Sequence, residues 1–130
     1  GAARAGMENF TQTAAIEWAK SGVRVNSVAP GYIISSGMDS YEDPDMIKRI
    51  PKFGQSTPAG RMGTESEVSA AVCFLLSRGA AYINGVTLRV DGGSSLCLSS
   101  PLSELEVATK NNEPFDGFHR SELPSILKTS

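Results

Sequence analysis

The sequence predicts an α/β fold whose elements follow the order helix, strand, lid, helix, strand. Apolar residues recur at helical spacing in two segments, and each of these segments is followed by a β-branched run. Two strands joined through a helix imply a right-handed parallel crossover. Because two parallel strands leave open sheet edges, we expect the sheet to need further strands and the fold to be incomplete by itself.

The first helix is predicted over about the first twenty residues. Its apolar stripe consists of residues three or four positions apart: Ala3, Met7, Phe10, Ala14 and Trp18. Ser21-Gly22 then supplies a stop signal.

The first strand is predicted from Val23 to Ala29, and Pro30-Gly31 ends it. Its short, nearly continuous apolar run is typical of a parallel strand covered on both faces. Asn26 is polar and lies in the middle of the strand, and we expect its side chain to satisfy backbone groups between strands.

A long irregular stretch follows, roughly residues 32–63, with one short amphipathic segment at 43–50. Pro44 suits the first turn of a helix there. A stretch of this length in a compact domain is either a functional lid or disordered. Its Met and Ile residues favour a lid, which we expect at about residues 35–57.

The second helix begins with Thr64 and Glu67, which have the spacing of a capping box. Its predicted apolar face is formed by Val68, Ala71, Val72, Leu75 and Leu76. Cys73 lies in the same apolar run and is predicted to be buried. A second strand is predicted at 86–90, and periodicity fades in the last third of the chain.

Composition excludes several classes of function. The 130 residues are 40% hydrophobic and 20% charged with a net charge of −2, as in an ordinary globular domain without a basic patch for nucleic acid. No apolar run approaches the roughly 18 residues of a membrane span, and no signal peptide is visible. Two isolated cysteines and the single His119 predict no metal site and fit a reducing, cytoplasmic compartment.

Four ordered blocks of the sequence carry a resemblance to a known family. They are the Gly-Ala-Ala-Arg-Ala-Gly start running to Trp18, the 22–31 block with Asn-Ser-Val-Ala-Pro-Gly, the 58–68 block with Pro-Ala-Gly-Arg-Met-Gly, and the 82–93 block ending Val-Asp-Gly-Gly. Together they resemble the C-terminal half of the short-chain dehydrogenases/reductases. The start is most similar to the peroxisomal trans-2-enoyl-CoA reductase branch.

The resemblance implies the C-terminal portion of a doubly wound, Rossmann-like parallel sheet over residues 1–95, followed by an irregular extension at 96–130. It also implies an NAD(P)H-dependent oxidoreductase that transfers hydride between the cofactor and a carbonyl, alcohol or enoyl-type substrate. No glycine-rich phosphate loop occurs in the sequence, so we expect this chain alone to be inactive.

The resemblance also assigns candidate site residues. Arg4 stands where the family's catalytic lysine lies, and it would hold a ribose hydroxyl; guanidinium does not deprotonate, so it cannot shuttle a proton as lysine does. Pro30 and Gly31 would place the chain beside the cofactor, the backbone of Ile33 would meet the nicotinamide carboxamide, and Ser35 would replace a threonine near the carboxamide or phosphate. The branch can carry a tyrosine where this sequence has Glu8.

Two alternatives come from other classes of protein. In the first alternative, the chain is a non-catalytic remnant of the family that acts in oligomer packing. In the second, it is a module that binds an apolar ligand under the lid. The resemblance implies a homo-oligomer formed through the first helix and the last strand, and a small-molecule substrate. The terminus Lys128-Thr129-Ser130 gives no support for peroxisomal targeting.

Overall fold

The computed structural model describes residues 2–97, 108–110 and 113–117 and confirms the α/β class. Its helices and strands are α1 (Ala2–Ala19), β1 (Ser27–Pro30), β2 (Ile33–Ile34), α2 (Pro44–Gln55), β3 (Gly63–Thr64), α3 (Glu65–Leu76) and β4 (Thr87–Val90). Short 3-10 helices lie at Ser36–Ser40, Arg78–Ala80 and Ser94–Leu96. The chain divides into two compact units, residues 1–29 with 69–89 and residues 30–68 with 90–130.

In the first unit, α1 begins and ends as predicted, but only Ala14 of the predicted apolar stripe is among its buried residues. The N–H groups of Ser21 and Gly22 bond back to the carbonyls of Trp18 and Ala19, which closes the helix. Thr11, Ala14 and Ala15 are the buried residues of the helix. Of the larger members of the predicted stripe, Met7 is 60% exposed and Phe10 57%, and Trp18 is also exposed.

β1 pairs with β4 as a parallel two-stranded sheet. The Ser27 N–H donates to Val86 O at 2.9 Å, and four residues further along both strands the Gly31 N–H donates to Val90 O at 3.0 Å. The bonded residues advance in the same direction along both strands, so the pair is parallel, as predicted.

β1 starts four residues later than predicted because side-chain amides replace the first ladder bonds. The Val25 N–H donates to Asn84 Oδ1 at 2.8 Å, and the Val86 N–H donates to Asn26 Oδ1 at 3.0 Å. Asn26 Nδ2 also donates to Ile83 O at 3.1 Å. Asn26 thus satisfies backbone groups between the strands, and that prediction is confirmed.

The carboxyl end of α3 is held by Arg24. Its guanidinium donates to the carbonyl of Leu75 at 2.8 Å, in the last turn of α3, where helix carbonyls have no partner within the helix. It also donates to the carbonyl of Ile83 at 3.1 Å. Leu75 is buried, but Cys73 is exposed, so the prediction of a buried cysteine was wrong. The apolar run that contains Cys73 continues around α3, and its spacing alone does not say which side faces inward.

In the second unit, the predicted lid contains more regular structure than expected. α2 extends to Gln55, beyond the predicted segment and past an internal Pro51. Asp43 caps it by accepting the Asp45 N–H at 2.9 Å, and Pro44 occupies the first turn as predicted. Its apolar side contributes to a cluster of Ile34, Ile50 and Met62, against which Met38 and Phe53 pack.

The part of the predicted 96–130 extension that the structure describes beyond Cys97, at 108–110 and 113–117, contains no helix or strand. The division near residue 95 stays a prediction, and His119 lies outside the described residues.

Candidate functional site

The turn after β1 permits no side chain at Gly31. A Cβ atom built there would lie 2.7 Å from Asp91 Cα and 2.8 Å from Asp91 Cβ, distances that real Cβ atoms do not show. The Gly31 N–H meanwhile donates to Val90 O. Pro30-Gly31 therefore carries the chain closely past the carboxyl end of β4, the end of a parallel sheet at which α/β proteins bind ligands.

Ile33 lies in β2, which pairs in parallel with β3 so that Ile33 is opposite Gly63. The Gly63 N–H donates to Tyr32 O at 2.9 Å. Backbone groups of successive strand residues point alternately to the two sides, so the N–H and C=O of Ile33 point away from β3. One donor and one acceptor of the same residue are thus directed to the other edge of β2.

Ser35 precedes the 3-10 helix Ser36–Ser40 in extended conformation. Its carbonyl accepts the Met38 N–H at 3.0 Å, and its hydroxyl makes no capping hydrogen bond to that helix. The residues that follow lead into α2, whose Phe53 ring stacks on the Tyr32 ring with centroids 4.8 Å apart and planes 6° apart. This aromatic pair joins the segment that follows β1 to α2.

Arg4, the remaining predicted site residue, lies in the first turns of α1, in the unit that does not contain Pro30, Gly31, Ile33 and Ser35. Its side chain is exposed, as is Glu8 one turn further along. On the same helix, Gln12 lines an open groove of about 520 Å³; the other lining residues are Ala15, Ile16, Ala19, Asn84 and Gly85.

A cluster around Glu67 was only partly anticipated by the sequence. The predicted capping box is confirmed: the Thr64 N–H donates to Glu67 Oε2 at 3.0 Å, and the Glu67 N–H donates to Thr64 Oγ1 at 3.3 Å. The same carboxylate binds Arg61 in a bidentate pair, with Nη2–Oε1 at 2.6 Å and Nη1–Oε2 at 2.9 Å. The six-residue spacing of this pair matches no helical or strand rule, so only the structure reveals it.

The electrostatics of Glu67 follow from these contacts. Burial raises the pKa of its carboxyl, whereas the hydrogen bonds from Arg61 and from two backbone N–H groups lower it. The lowering prevails, so the pKa of Glu67 lies below its usual value. The ionised carboxylate therefore ties β3 to the first turn of α3 at neutral pH.

Among the residues that the structure describes, no helix has the length and apolar character to cross a membrane. The same residues contain no group of three or more histidine, cysteine, aspartate or glutamate side chains placed to hold a metal ion.

Parallel strands and a glycine that carries the chain past the strand ends define an α/β protein with part of a Rossmann-like fold. The sequence model described as "Enoyl-(Acyl carrier protein) reductase" matches residues 1–95. The chain belongs to the short-chain dehydrogenase/reductase family, in agreement with the resemblance seen in the sequence.

Known proteins bear this out over the same region. The peroxisomal 2,4-dienoyl-CoA reductase of Rattus norvegicus is 39% identical over 106 residues, which cover 81% of this chain and 36% of that protein. The structure of a citronellol catabolism dehydrogenase from Pseudomonas aeruginosa PAO1 is 51% identical with a TM-score of 0.55, covering 72% of this chain and 34% of that one.

A third relative was solved with bound NADP. It is an Agrobacterium tumefaciens protein assigned provisionally as a 2-deoxy-d-gluconate 3-dehydrogenase, 35% identical with a TM-score of 0.61 over 73% of this chain and 38% of its own. The chain thus spans a little over a third of the length of the relatives that it matches.

Proposed function

We propose that this chain supplies the nicotinamide side of an NAD(P)H-dependent oxidoreductase. The reaction is hydride transfer between the cofactor and a carbonyl, alcohol or enoyl-type substrate. Support comes from the family, whose members use nicotinamide cofactors, and from the relative solved with NADP.

The observation that carries the proposal is the edge of β2 that faces away from β3 and pairs with no strand among the described residues. A carboxamide has one donor group and one acceptor oxygen, and Ile33 offers a complementary N–H and C=O that both point away from β3. The residues present therefore fit the nicotinamide amide. Gly31 lets the chain turn close to the sheet, so that Ile33 follows the strand end directly.

The other predicted site residues have supporting roles in this proposal. The Ser35 hydroxyl, which does not cap its own helix, is available to a carboxamide or phosphate oxygen. The exposed Arg4 supplies positive charge for a ribose hydroxyl but does not move a proton, because guanidinium stays protonated. When bound, the cofactor supplies the hydride.

We also propose that the substrate is an acyl thioester, as in the enoyl-CoA reductase-like branch. Tyr32, which is exposed and stacks on Phe53, would suit the hydrocarbon part of such a substrate. Relatives named for sugars and for terpenoid alcohols make a hydroxylated substrate the competing choice. A cytoplasmic location remains our prediction.

A homo-oligomer through α1 is proposed on the strength of its surface. Met7, Phe10 and Trp18 share one side of the helix and are all exposed, and an apolar face of this kind on a helix marks an interaction site. The same face supports the alternative that the chain serves mainly in oligomer packing. Sedimentation and cofactor titration of both wild type and Phe10→Glu separate the two roles. Sedimentation reports oligomer packing, and the titration reports cofactor binding.

The cofactor proposal is tested by titrating the full chain with NADH and NADPH and following nicotinamide fluorescence. Ile33→Pro removes the N–H that faces away from β3 without breaking a bond to β3, a position at which strands accept proline. We expect it to weaken binding about tenfold, as the loss of one well-placed hydrogen bond does. Ile33→Val keeps the N–H and is the matched control.

Equal affinities of Ile33→Pro and Ile33→Val would contradict the role of this backbone. Because the sequence has no phosphate loop, cofactor binding by the chain alone rests on the nicotinamide side, and turnover is measured separately. We expect the chain alone to reduce no enoyl or carbonyl substrate. Once an N-terminal half from a family member is supplied, we expect it to reduce such a substrate. Turnover by the chain alone would contradict that expectation.

A further inference from the structure

The segment 113–117 is fixed to the start of α3 by a side chain that the proposed function does not use. Ser66 is 2% exposed; its hydroxyl donates to Asp116 Oδ1 at 2.9 Å and accepts the Gly117 N–H at 3.0 Å. A buried hydroxyl that both donates and accepts across about 50 residues of sequence is a specific attachment.

A second set of bonds reaches the Glu67 cluster. The Phe115 N–H donates to Glu67 Oε1 at 3.3 Å, and the Phe115 carbonyl accepts the hydroxyl of Thr64. The backbone of the segment thus joins the two side chains of the capping box. Because Glu67 Oε2 accepts the Thr64 N–H, the segment, β3 and α3 share one hydrogen-bond network.

The network continues from β3 to β2. Thr64 pairs with Ile34, and the neighbouring Gly63 N–H donates to Tyr32 O. Tyr32 immediately precedes Ile33. A shift of β3 therefore moves β2, and with it the N–H and C=O groups of Ile33 that point away from β3.

The chain also closely approaches Gly60, just before β3. The Ala108 N–H donates to Pro58 O at 2.8 Å, and a Cβ atom on Gly60 would collide with Ala108 O. Gly60 also has φ +70°, a conformation that favours glycine. The loop before β3 is thus shaped to accept the extension.

We propose that residues 113–117 form a strap that holds β3 and thereby positions β2, with Ser66 as the positioning residue at its attachment. The strap acts on the cofactor through Ile33, and this part rests on the proposed function. Its release loosens the backbone at β2 without removing any group that would touch the cofactor. Cofactor affinity then depends on a segment outside the site.

The test compares hydrogen exchange of single amides in full-chain variants, followed by NMR. Ser66→Ala removes the hydroxyl that bonds to Asp116 and Gly117, and Asp116→Ala removes the carboxylate acceptor. Asp116→Asn keeps an oxygen at the same place as a conservative rescue. The matched control is Ser77→Ala, which removes a serine hydroxyl bonded only to its own neighbourhood in the first unit.

We expect the Gly63 and Thr64 amides to exchange about tenfold faster in Ser66→Ala, as the loss of one or two hydrogen bonds allows, and the Gly85 amide to be unchanged. Gly85 bonds to Val25 in the first unit, so it reports general destabilisation. Faster exchange at Gly117 alone, or equal acceleration at Gly63 and Gly85, would overturn the strap.

An NADPH titration of the same variants completes the test. The dissociation constant should rise by a similar factor in Ser66→Ala and return toward wild type in Asp116→Asn relative to Asp116→Ala. Faster exchange with unchanged affinity overturns the positioning role. A wild type that binds no NAD(P)H removes the proposed function, while the exchange rates still decide whether the strap holds β3.

Discussion

Replacing Glu67 by Gln tests the electrostatic reasoning because it removes the charge and keeps the size of the side chain. The carboxylate accepts two bonds from Arg61 and one from the Thr64 N–H. An amide offers a single acceptor oxygen, and its NH2 group would face a guanidinium donor. At least one charge-assisted hydrogen bond is therefore lost, and the NH2 group of the glutamine faces an N–H donor of Arg61.

The magnitude follows from the burial of the pair. The side chains of Arg61 and Glu67 are only 26% and 20% exposed, so the pair is partly buried. The upper value of about 1 kcal/mol for the contribution of an exposed ion pair to stability therefore does not apply to it. A hydrogen bond to a charged group contributes about 1.5–3 kcal/mol. We expect Glu67→Gln to lower the free energy of unfolding by about 2–3 kcal/mol at pH 7.

Urea denaturation followed by circular dichroism measures this change, and Glu17→Gln is the control on an exposed carboxylate of α1. The pKa of Glu67 is lowered in the folded protein, so its contribution is complete above the ordinary value of 4.5 and is lost as the pH falls below it. Glu67→Gln should lack that acid-dependent loss. Equal stability of Glu67→Gln and Glu17→Gln at pH 7 would refute the reasoning.

Two further substitutions test close contacts. Gly31→Ala puts a Cβ atom 2.7 Å from Asp91 Cα, so we expect it to lower stability by about 1–3 kcal/mol, measured as a fall in Tm. Arg24→Lys replaces a planar fork by a single ammonium group that cannot reproduce bonds to two separated carbonyls, one of them that of Leu75 at 2.8 Å. It should lower stability by about 1–3 kcal/mol in urea denaturation.

Each of these substitutions has a control in the same chain. Gly37→Ala should leave Tm almost unchanged, because the nearest atom to its Cβ would be 3.6 Å away. A fall equal to that of Gly31→Ala would mean that the contact with Asp91 is not the cause. Arg78→Lys changes an exposed arginine, and stability losses as large as those of Arg24→Lys would contradict the capping role.

Local spacing predicted much of this structure. The Thr64–Glu67 capping box and the proline start of α2 depend on residues within one helical turn. Such residues are close in space because they are close in sequence. The strand–helix–strand order predicted the parallel topology, and the family resemblance added the candidate site residues. Neither source predicted the Arg61–Glu67 pair, because a loop of unknown path separates its members.

Helical spacing also failed where several faces of a helix are apolar. Met7, Phe10 and Ala14 all belong to the predicted stripe of α1, yet only Ala14 of these three is buried, together with Ala15 outside the stripe. Cys73 is exposed for the same reason on α3. The pattern gives the period of a helix; the direction of its buried face depends on what packs against it.

The amides at the start of the β1–β4 pair have a consequence for the order of folding. Asn26 and Val86 are 60 residues apart in the chain, whereas Thr64 and Glu67 are three apart. Closing the longer loop costs more entropy before any bond rewards it. We therefore expect the turn at α3 to form early and the strand pair late, so the sheet is completed only after the chain between Asn26 and Val86 has become compact.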